Sequence, residues 1–293
     1  MAIRSVRIPE FRSAPVQSVP LGDVDQLLDW FRDHQNILVI TGAGCSTGSG
    51  IPAYRDGDGQ WRRRQPIFYQ DFIADAAVRR RYWARSFFGW PLIQTAAPNA
   101  SHRALAQLQQ IGRISALITQ NVDGLHHAAG HDDVIELHGG LKRVRCLACG
   151  EITDRADLQQ RLHALNPNCT AEVHGINPDG DVELDDLAGQ QFQIADCKRC
   201  GGVLKPDVVF FGESVPAAVT QAGIQRLDQA EAVLVAGSSL VVWSGFRLAR
   251  KAARQGKSVV AINQGRTRAD DVLDFKLNEE CGAILSSLAI AFA

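Results

Sequence analysis

The sequence predicts an α/β protein, a doubly wound parallel sheet with a smaller cysteine-bearing module inserted into it. Three observations carry this. Short apolar runs recur at 37–40, 114–119, 134–137, 232–236 and 258–262, each with the length of a buried strand. Helical patterns lie between them, and the runs end in small or polar residues, Gly42, Gln120, His138, Gly237 and Asn263. Open α/β sheets bind their ligands at such carboxyl ends. Two Cys-x-x-Cys pairs interrupt the alternation between the third and fourth runs.

Composition bounds the remaining possibilities. A chain of 293 residues has room for one large domain or two unequal ones. With 45% hydrophobic and 22% charged residues it has the make-up of a soluble globular enzyme. Its 31 basic and 32 acidic side chains leave a net charge of -1, so no global field favours nucleic acid or an anionic membrane. No apolar stretch approaches the ~20 residues of a membrane-spanning helix. The first 20 residues carry Arg4, Arg7 and Arg12 but no apolar core of a secretory signal; Glu10 and the prolines weigh against a mitochondrial presequence. The expected location is the cytoplasm, or the mitochondrial matrix in a eukaryote.

Taken in order, residues 21 to 34 place Val24, Leu27, Leu28 and Phe31 at helical spacing, an amphipathic helix packed on the strand that follows. That strand delivers Thr41-Gly-Ala-Gly-Cys-Ser-Thr-Gly-Ser-Gly-Ile-Pro-Ala-Tyr-Arg55, dense in glycine and small hydroxyl residues. Its glycines permit close backbone approach, which suits a phosphate; the alternative is a plain glycine-rich turn. From Gln60 to Trp90 arginine is interleaved with aromatics, including Trp61, Phe72, Tyr82, Trp83, Phe87 and Trp90. This mixture is either an RNA-stacking surface or a helical lid with a small aromatic core. His102 to Gln110 reads as a helix, and the next strand ends in Gln120-Asn-Val-Asp123.

Cys146-Leu-Ala-Cys149-Gly150 and Cys197-Lys-Arg-Cys200-Gly201 are metal knuckles, two thiolates on each tight turn, and together they make a four-sulfur zinc site. A set filled by cysteine leaves no open position, so the expected Zn2+ is structural. The 47 residues between the pairs imply a loop-rich insertion, in which Cys169 is a free thiol. Leu204 to Glu213 then returns as an extended stretch, either an edge for peptide capture or a core strand. The expected division is a large unit over 21–140 and 204–293, holding the helical region 60–100, and a zinc-binding module over 141–203.

Gly42 and Gly44 are followed by Thr47 where a hydride-transfer fingerprint places its third glycine, and no acidic strand end follows about 20 residues on. Dinucleotide binding survives this; dehydrogenase chemistry does not fit. The loop 42–55, Gln120-Asn-Val-Asp123, His138-Gly139, the four cysteines, Gly237-Ser-Ser239 and Asn263 resemble, in this order, the sirtuin pattern over about residues 24 to 285. Arg81-Tyr-Trp-Ala-Arg85 and Phe88-Gly-Trp-Pro91 look most like the class II branch.

The resemblance implies a Rossmann-like NAD-binding sheet and a protein lysine deacylase that cleaves NAD to nicotinamide and transfers the acyl group to ADP-ribose. Acetyl, lipoyl and other long acyl groups, and acidic acyl groups, are all open; the alternative is a protein ADP-ribosyltransferase on the same NAD site. His138 would act as base towards a ribose hydroxyl, with Asn121 and Asp123 holding the nicotinamide end. Gly42, Ala43, Gly44, Thr47, Tyr54, Arg55 and Gln120 would line NAD. Gly237, Ser238, Ser239, Asn263, Gln264, Gly265 and Cys281 would surround its adenosine half. The partners implied are acylated lysines of proteins, with no membrane and no specific nucleic acid; the oligomeric state is left open. Two points stand apart from the family pattern. Ala53 sits where many sirtuins carry aspartate, and Tyr82 and Arg85 have the Y-x-x-R spacing that recognises acidic acyl groups in another class.

Overall fold

A computed structural model describes residues 19–54, 56, 66–184 and 191–293. The five expected strands, joined by one that the sequence did not signal, form a six-stranded parallel sheet: β1 (Ile37–Thr41), β2 (Ile114–Thr119), β3 (Val134–Glu136), β7 (Ala232–Ala236), β8 (Ser258–Ile262) and the additional β9 (Phe275–Leu277). Their order is β3-β2-β1-β7-β8-β9. The chain therefore builds outward from β1 in one direction and then restarts on its other side at β7. This reversal opens a crevice between the ends of β1 and β7.

Register sets what reaches that crevice. Thr41 pairs with Thr119 on one side and with Ala236 on the other; Ala236 pairs with Ile262, and Thr119 with Glu136. One row thus closes the sheet. The residues just beyond it emerge along a single edge.

Alternation along the strands builds two cores. Ile37 and Val39 face Leu27 and Phe31 of α1 (Val24–Asp33), Leu105 and Leu108 of α4 (Ala100–Gln110), and Leu285 of α9 (Cys281–Ala291). Leu38 and Ile40 face Leu227 of α7 (Ala217–Gln229) and Phe246 and Ala249 of α8 (Trp243–Arg254). Asp23 caps α1 by accepting from the Gln26 N–H at 2.8 Å.

The second sheet is antiparallel, β5-β4-β6, with β4 (Gly139–Cys146), β5 (Ile152–Asp154) and β6 (Leu204–Val208). β4 begins directly after His138. The aromatic region consists of α2 (Tyr69–Ala74) and α3 (Ala76–Thr95), and it is not a detached lid. Phe72, Tyr82, Trp83 and Phe87 share a core with Val144, Leu158 and Leu162 of the inserted module, the last two on α6 (Arg155–Leu165). Because these rings are buried, they are unavailable for stacking bases, which removes the RNA reading for the described residues. Trp61, Arg55 and the N-terminal residues 1–18 lie outside the described residues.

Candidate active site

One cavity of about 630 Å³ runs along the carboxyl edge of the parallel sheet. Its walls include Gly42, Ala43, Gly44 and Thr47 after β1, Gln120 and Asn121 after β2, and His138 after β3. Gly237, Ser238 and Ser239 after β7, Asn263 and Gln264 after β8, and Cys281 at the start of α9 complete the nucleotide-type end. Tyr54 and Ala53 line it as well. No helix among the described residues is long and apolar enough to cross a membrane.

The glycines at the crevice are steric requirements. A Cβ on Gly42 would lie 2.7 Å from Ser238 Cβ, and one on Gly237, whose φ is +62°, would lie 2.3 Å from the Cys45 nitrogen. Gly44 N–H donates to Gly237 O at 2.8 Å and Gly42 N–H to Ala236 O at 3.2 Å. These two N–H groups therefore lock the β1 and β7 loops together instead of facing a phosphate. The loops interlock because nothing larger than hydrogen separates them. Leu240, the one non-glycine residue with positive φ (+50°) among those described, follows in the same loop.

His138 is fixed at both nitrogens. Nδ1 lies 2.9 Å from the Gln120 carbonyl oxygen, which only accepts, so Nδ1 carries the proton. Nε2 lies 2.7 Å from Ser244 Oγ and is left as the basic nitrogen. Burial lowers the His138 pKa below its ordinary value, and the Gln120 carbonyl opposes this. The ring is consequently neutral near pH 7 with a lone pair on Nε2.

Asn121 donates from Nδ2 to Gly42 O and to Ser46 Oγ, each at 3.0 Å. Ser46 in turn donates to Asp123 Oδ2 at 2.7 Å, and Asp123 Oδ1 accepts from the Leu125 N–H at 2.9 Å. Asp123 is thus buried behind the wall, and its carboxylate reaches the cavity only through Ser46 and Asn121. Burial pushes its carboxyl above the ordinary range, against the Leu125 and Ser46 hydrogen bonds. Gly265 also stands off the cavity wall, in a turn where its N–H donates to Asn278 Oδ1 at 2.7 Å.

Behind β1 lies a histidine cluster. His126 Nε2 is 2.9 Å from Thr41 Oγ1, and His102 Nδ1 accepts from the Asn99 N–H at 3.2 Å, inside the cap of α4. Burial pushes His102 and His131 down to about 4 and His126 well below its ordinary value, with the neighbouring imidazoles adding to the effect. All three are neutral packing groups at physiological pH.

In the inserted module the four predicted cysteines converge. Cys146 and Cys200 sulfurs lie 3.5 Å apart, Cys149 and Cys197 3.8 Å, and all four fall within 4.8 Å of one another. Tetrahedral thiolates around zinc at about 2.3 Å stand about 3.8 Å apart, whereas a disulfide needs about 2.05 Å. Gly150 and Gly201 turn each knuckle at φ +74° and +69°. A Cβ on Gly202 would press to 3.0 Å from the Cys146 sulfur. The donor set and its spacing fit a four-thiolate metal.

The stretch 204–213 is a paired strand in its first half and cavity wall in its second. β6 pairs with β4 as far as Val208, and Val209 to Glu213 continue past the strand along the cavity wall, with Val209 N–H donating to His138 O at 2.8 Å. Three residues of consequence carried no spacing signal. Ser46 lay inside the glycine loop without a distinguishing neighbour; Ser244 and Asp179 come from elements whose approach to the site depends on tertiary packing.

A parallel sheet of order β3-β2-β1-β7-β8-β9 with a cavity at its switch point and an inserted four-cysteine module define a nucleotide-binding α/β protein. The chain belongs to the Sir2 family, whose model matches residues 42–244. It is 49% identical over 271 residues to an NAD-dependent protein deacetylase of Xanthomonas axonopodis pv. citri, covering 92% of each chain. It is 48% identical to NAD-dependent protein deacetylase 2 of Bradyrhizobium diazoefficiens, covering 93% of this chain and 100% of the relative. Among solved structures, a complex described as Sir2-p53 peptide-NAD+ superimposes with a TM-score of 0.73 at 29% identity, covering 92% of this chain and 98% of the other.

Proposed function

We propose that the chain is an NAD-dependent protein lysine deacylase, with acetyl-lysine among its substrates. The observation that carries this is the fixed tautomer of His138, whose basic Nε2 belongs to the same cavity as the glycine loops at the switch point. The relatives named as NAD-dependent deacetylases support it. Bound NAD supplies an electrophilic ribose carbon once nicotinamide departs, and the acyl oxygen of the substrate lysine is its partner.

The chain's own residues then have distinct tasks. Ala43, Thr47, Ser238 and Ser239 line the pyrophosphate and ribose over the interlocked Gly42, Gly44 and Gly237, which let the ligand approach by their lack of side chains and not by their N–H groups, and Asn263, Gln264 and Cys281 line the adenosine. Tyr54 acts beside them, Arg55 joins it on the strength of the sequence motif alone, and Gly265 holds the turn that presents Gln264. Gln120 links two of these loops, since its Nε2 donates to Ser238 Oγ at 2.7 Å. Asn121 holds the nicotinamide end, and Asp123 holds Asn121 through Ser46. Positioning of this kind lowers a barrier by several kcal/mol, about 7–11 for fully oriented reactants. His138 Nε2 takes a proton from a ribose hydroxyl, releasing its Ser244 hydrogen bond to do so.

Cys146, Cys149, Cys197 and Cys200 would hold one zinc ion. Bound there, zinc has no open position and ties the knuckles together without entering the chemistry. The division into a nucleotide-binding unit (21–140 and 204–293) and a zinc unit (141–203) goes with this proposal, with α2 and α3 sharing the smaller unit's core.

Incubation with NAD and an acetyl-lysine peptide tests the reading. Nicotinamide and deacetylated peptide are expected to form in equal amounts. NAD consumption with ADP-ribose on protein and no loss of acetyl would establish the transferase alternative instead.

A further inference from the structure

Among the described residues of the cavity wall two are cations, Arg247 and Arg266. Arg266 follows Gln264 closely in the chain and belongs to the adenosine end. Arg85, the arginine of the Y-x-x-R spacing, is not part of the wall: its Nη2 pairs with Asp181 Oδ2 at 2.9 Å and its Nε donates to Val182 O at 2.9 Å. The flank lined by Tyr54 and by Tyr82, one turn before Arg85 on α3, presents the carboxyl group of Asp179. This leaves Arg247 as the cation of the reacting end.

Its place follows from α8. Arg247 comes one turn after Ser244, whose Oγ lies 2.7 Å from His138 Nε2. Trp243, four residues before Arg247 on the same face of the helix, also lines the cavity and is 48% exposed, which marks the mouth. Arg247 is thus one helical turn from the base and one from the opening. Val241 and Val242, just ahead of the helix, add apolar surface to this part of the wall.

The guanidinium is anchored but not neutralised. Nη2 donates to Thr220 Oγ1 of α7 at 2.6 Å, a neutral acceptor that holds the side chain in place. No carboxylate of a described residue lies within ion-pair distance of it. Glu213, an acid of the wall ahead of α7, is already engaged by Lys205 Nζ at 3.0 Å and by the Phe210 N–H at 2.9 Å. Nε of Arg247 is closed off from solvent, but Nη1 is open and has no partner. A guanidinium held on one side and open on the other is suited to a carboxylate, and apolar walls strengthen the attraction.

We propose that Arg247 is a subsite for a carboxylate side chain of the substrate protein, an aspartate or glutamate within two residues of the acyl-lysine. This rests on the deacylase reading and goes beyond it by giving the enzyme a preference for sequence around the lysine. The phosphates of NAD belong to the glycine loops at the other end of the cavity, and an acetylated lysine carries no charge. The anion that meets Arg247 therefore arrives on the residues flanking that lysine.

The test uses acetyl-lysine peptides that differ only in carrying glutamate or glutamine at one of the two positions on either side of the lysine. Their kcat/KM with NAD is compared in the wild type, Arg247→Gln and Arg247→Glu. The wild type should favour glutamate by about five- to tenfold at one or more positions, through KM and not kcat, the size of one partly desolvated charge pair. The preference should shrink towards one at about 0.5 M salt. Arg247→Gln should bring the ratio to about one, and Arg247→Glu should invert it. A wild-type ratio near one at every position, or a glutamate preference that survives in folded Arg247→Gln, overturns the subsite. If neither variant folds by thermal melt, a wild-type preference insensitive to salt overturns it equally. A succinyl-lysine peptide of neutral sequence tests the other source of a carboxylate: a succinyl advantage over acetyl that is lost in Arg247→Gln would place the carboxylate on the acyl group and overturn its assignment to a flanking residue. Nicotinamide release with acetyl peptides but no glutamate preference defeats the subsite alone. Absence of release with every acetylated peptide defeats the deacylase reading and the subsite with it.

Discussion

Ser46→Ala probes the least obvious part of the site. The hydroxyl donates to Asp123 at 2.7 Å, accepts from Asn121 at 3.0 Å and lies 3.4 Å from His102 Nε2. Removing it takes a charge-assisted hydrogen bond, worth about 1.5–3 kcal/mol, from a carboxylate that is buried. The Leu125 N–H remains, so the expected loss of stability at pH 8 is about 2–4 kcal/mol. The sign of the pH dependence follows from Asp123. Burial raises its folded pKa above the unfolded value, so its burden on stability is absent at low pH and grows as pH rises through the folded pKa. Losing Ser46 raises that pKa further, and the destabilisation should therefore shrink on going from pH 8 to pH 4.5. Urea unfolding at the two pH values measures it. Nicotinamide release should fall roughly tenfold to a hundredfold, because Asn121 keeps only its Gly42 anchor. A stability loss below about 0.5 kcal/mol, or one independent of pH, would refute the reasoning.

Two further outcomes address the rest of the molecule. Cys146→Ser, or prolonged chelation, should remove one zinc per chain by metal analysis and lower the melting temperature by about 10 °C or more, since structural metal binding is coupled to folding; metal-free protein with unchanged melting would contradict the site. His131, buried and held at about 4, binds fewer protons folded than unfolded, so its contribution is complete above about pH 6.5 and is lost as pH falls towards 4. His131→Asn should accordingly lose roughly 3 kcal/mol less stability than wild type over that interval, by denaturant unfolding.

How far the sequence leads depends on the range of the signal. Ile114–Thr119, Ala232–Ala236 and Ser258–Ile262 are strands over their expected bounds because uninterrupted apolar runs of that length suit a sheet buried on both faces. The cysteine knuckles were legible because ligand spacing is local and the turn chemistry of glycine accompanies it. β9 and α9 escaped the sequence reading, since a three-residue strand carries no periodicity and α9, apolar almost throughout, has no polar face to mark it. α6 escaped it too, inside a segment whose asparagines, prolines and glycines suggested loop.

The site divides along the same line. Residues at strand ends were predictable from topology, and Gly42, Gln120, His138, Gly237 and Asn263 do share one edge. What Asp123 touches was not predictable, because its burial depends on how Ser46 folds over it. Nor was the pairing of Arg85 with Asp181, 96 positions along the chain, which turns a spacing suited to an acidic ligand into an internal ion pair.

The most direct measurement of the central claim is nicotinamide release and peptide deacetylation by folded His138→Ala beside the wild type, with NAD and an acetyl-lysine peptide. With Nε2 as the base, kcat/KM for peptide deacetylation should fall by about 10²–10⁴ while the melting temperature stays close to that of the wild type. Wild-type rates of deacetylation in the folded variant would contradict the assignment of the base, and with it the account of the cavity as a deacylase site.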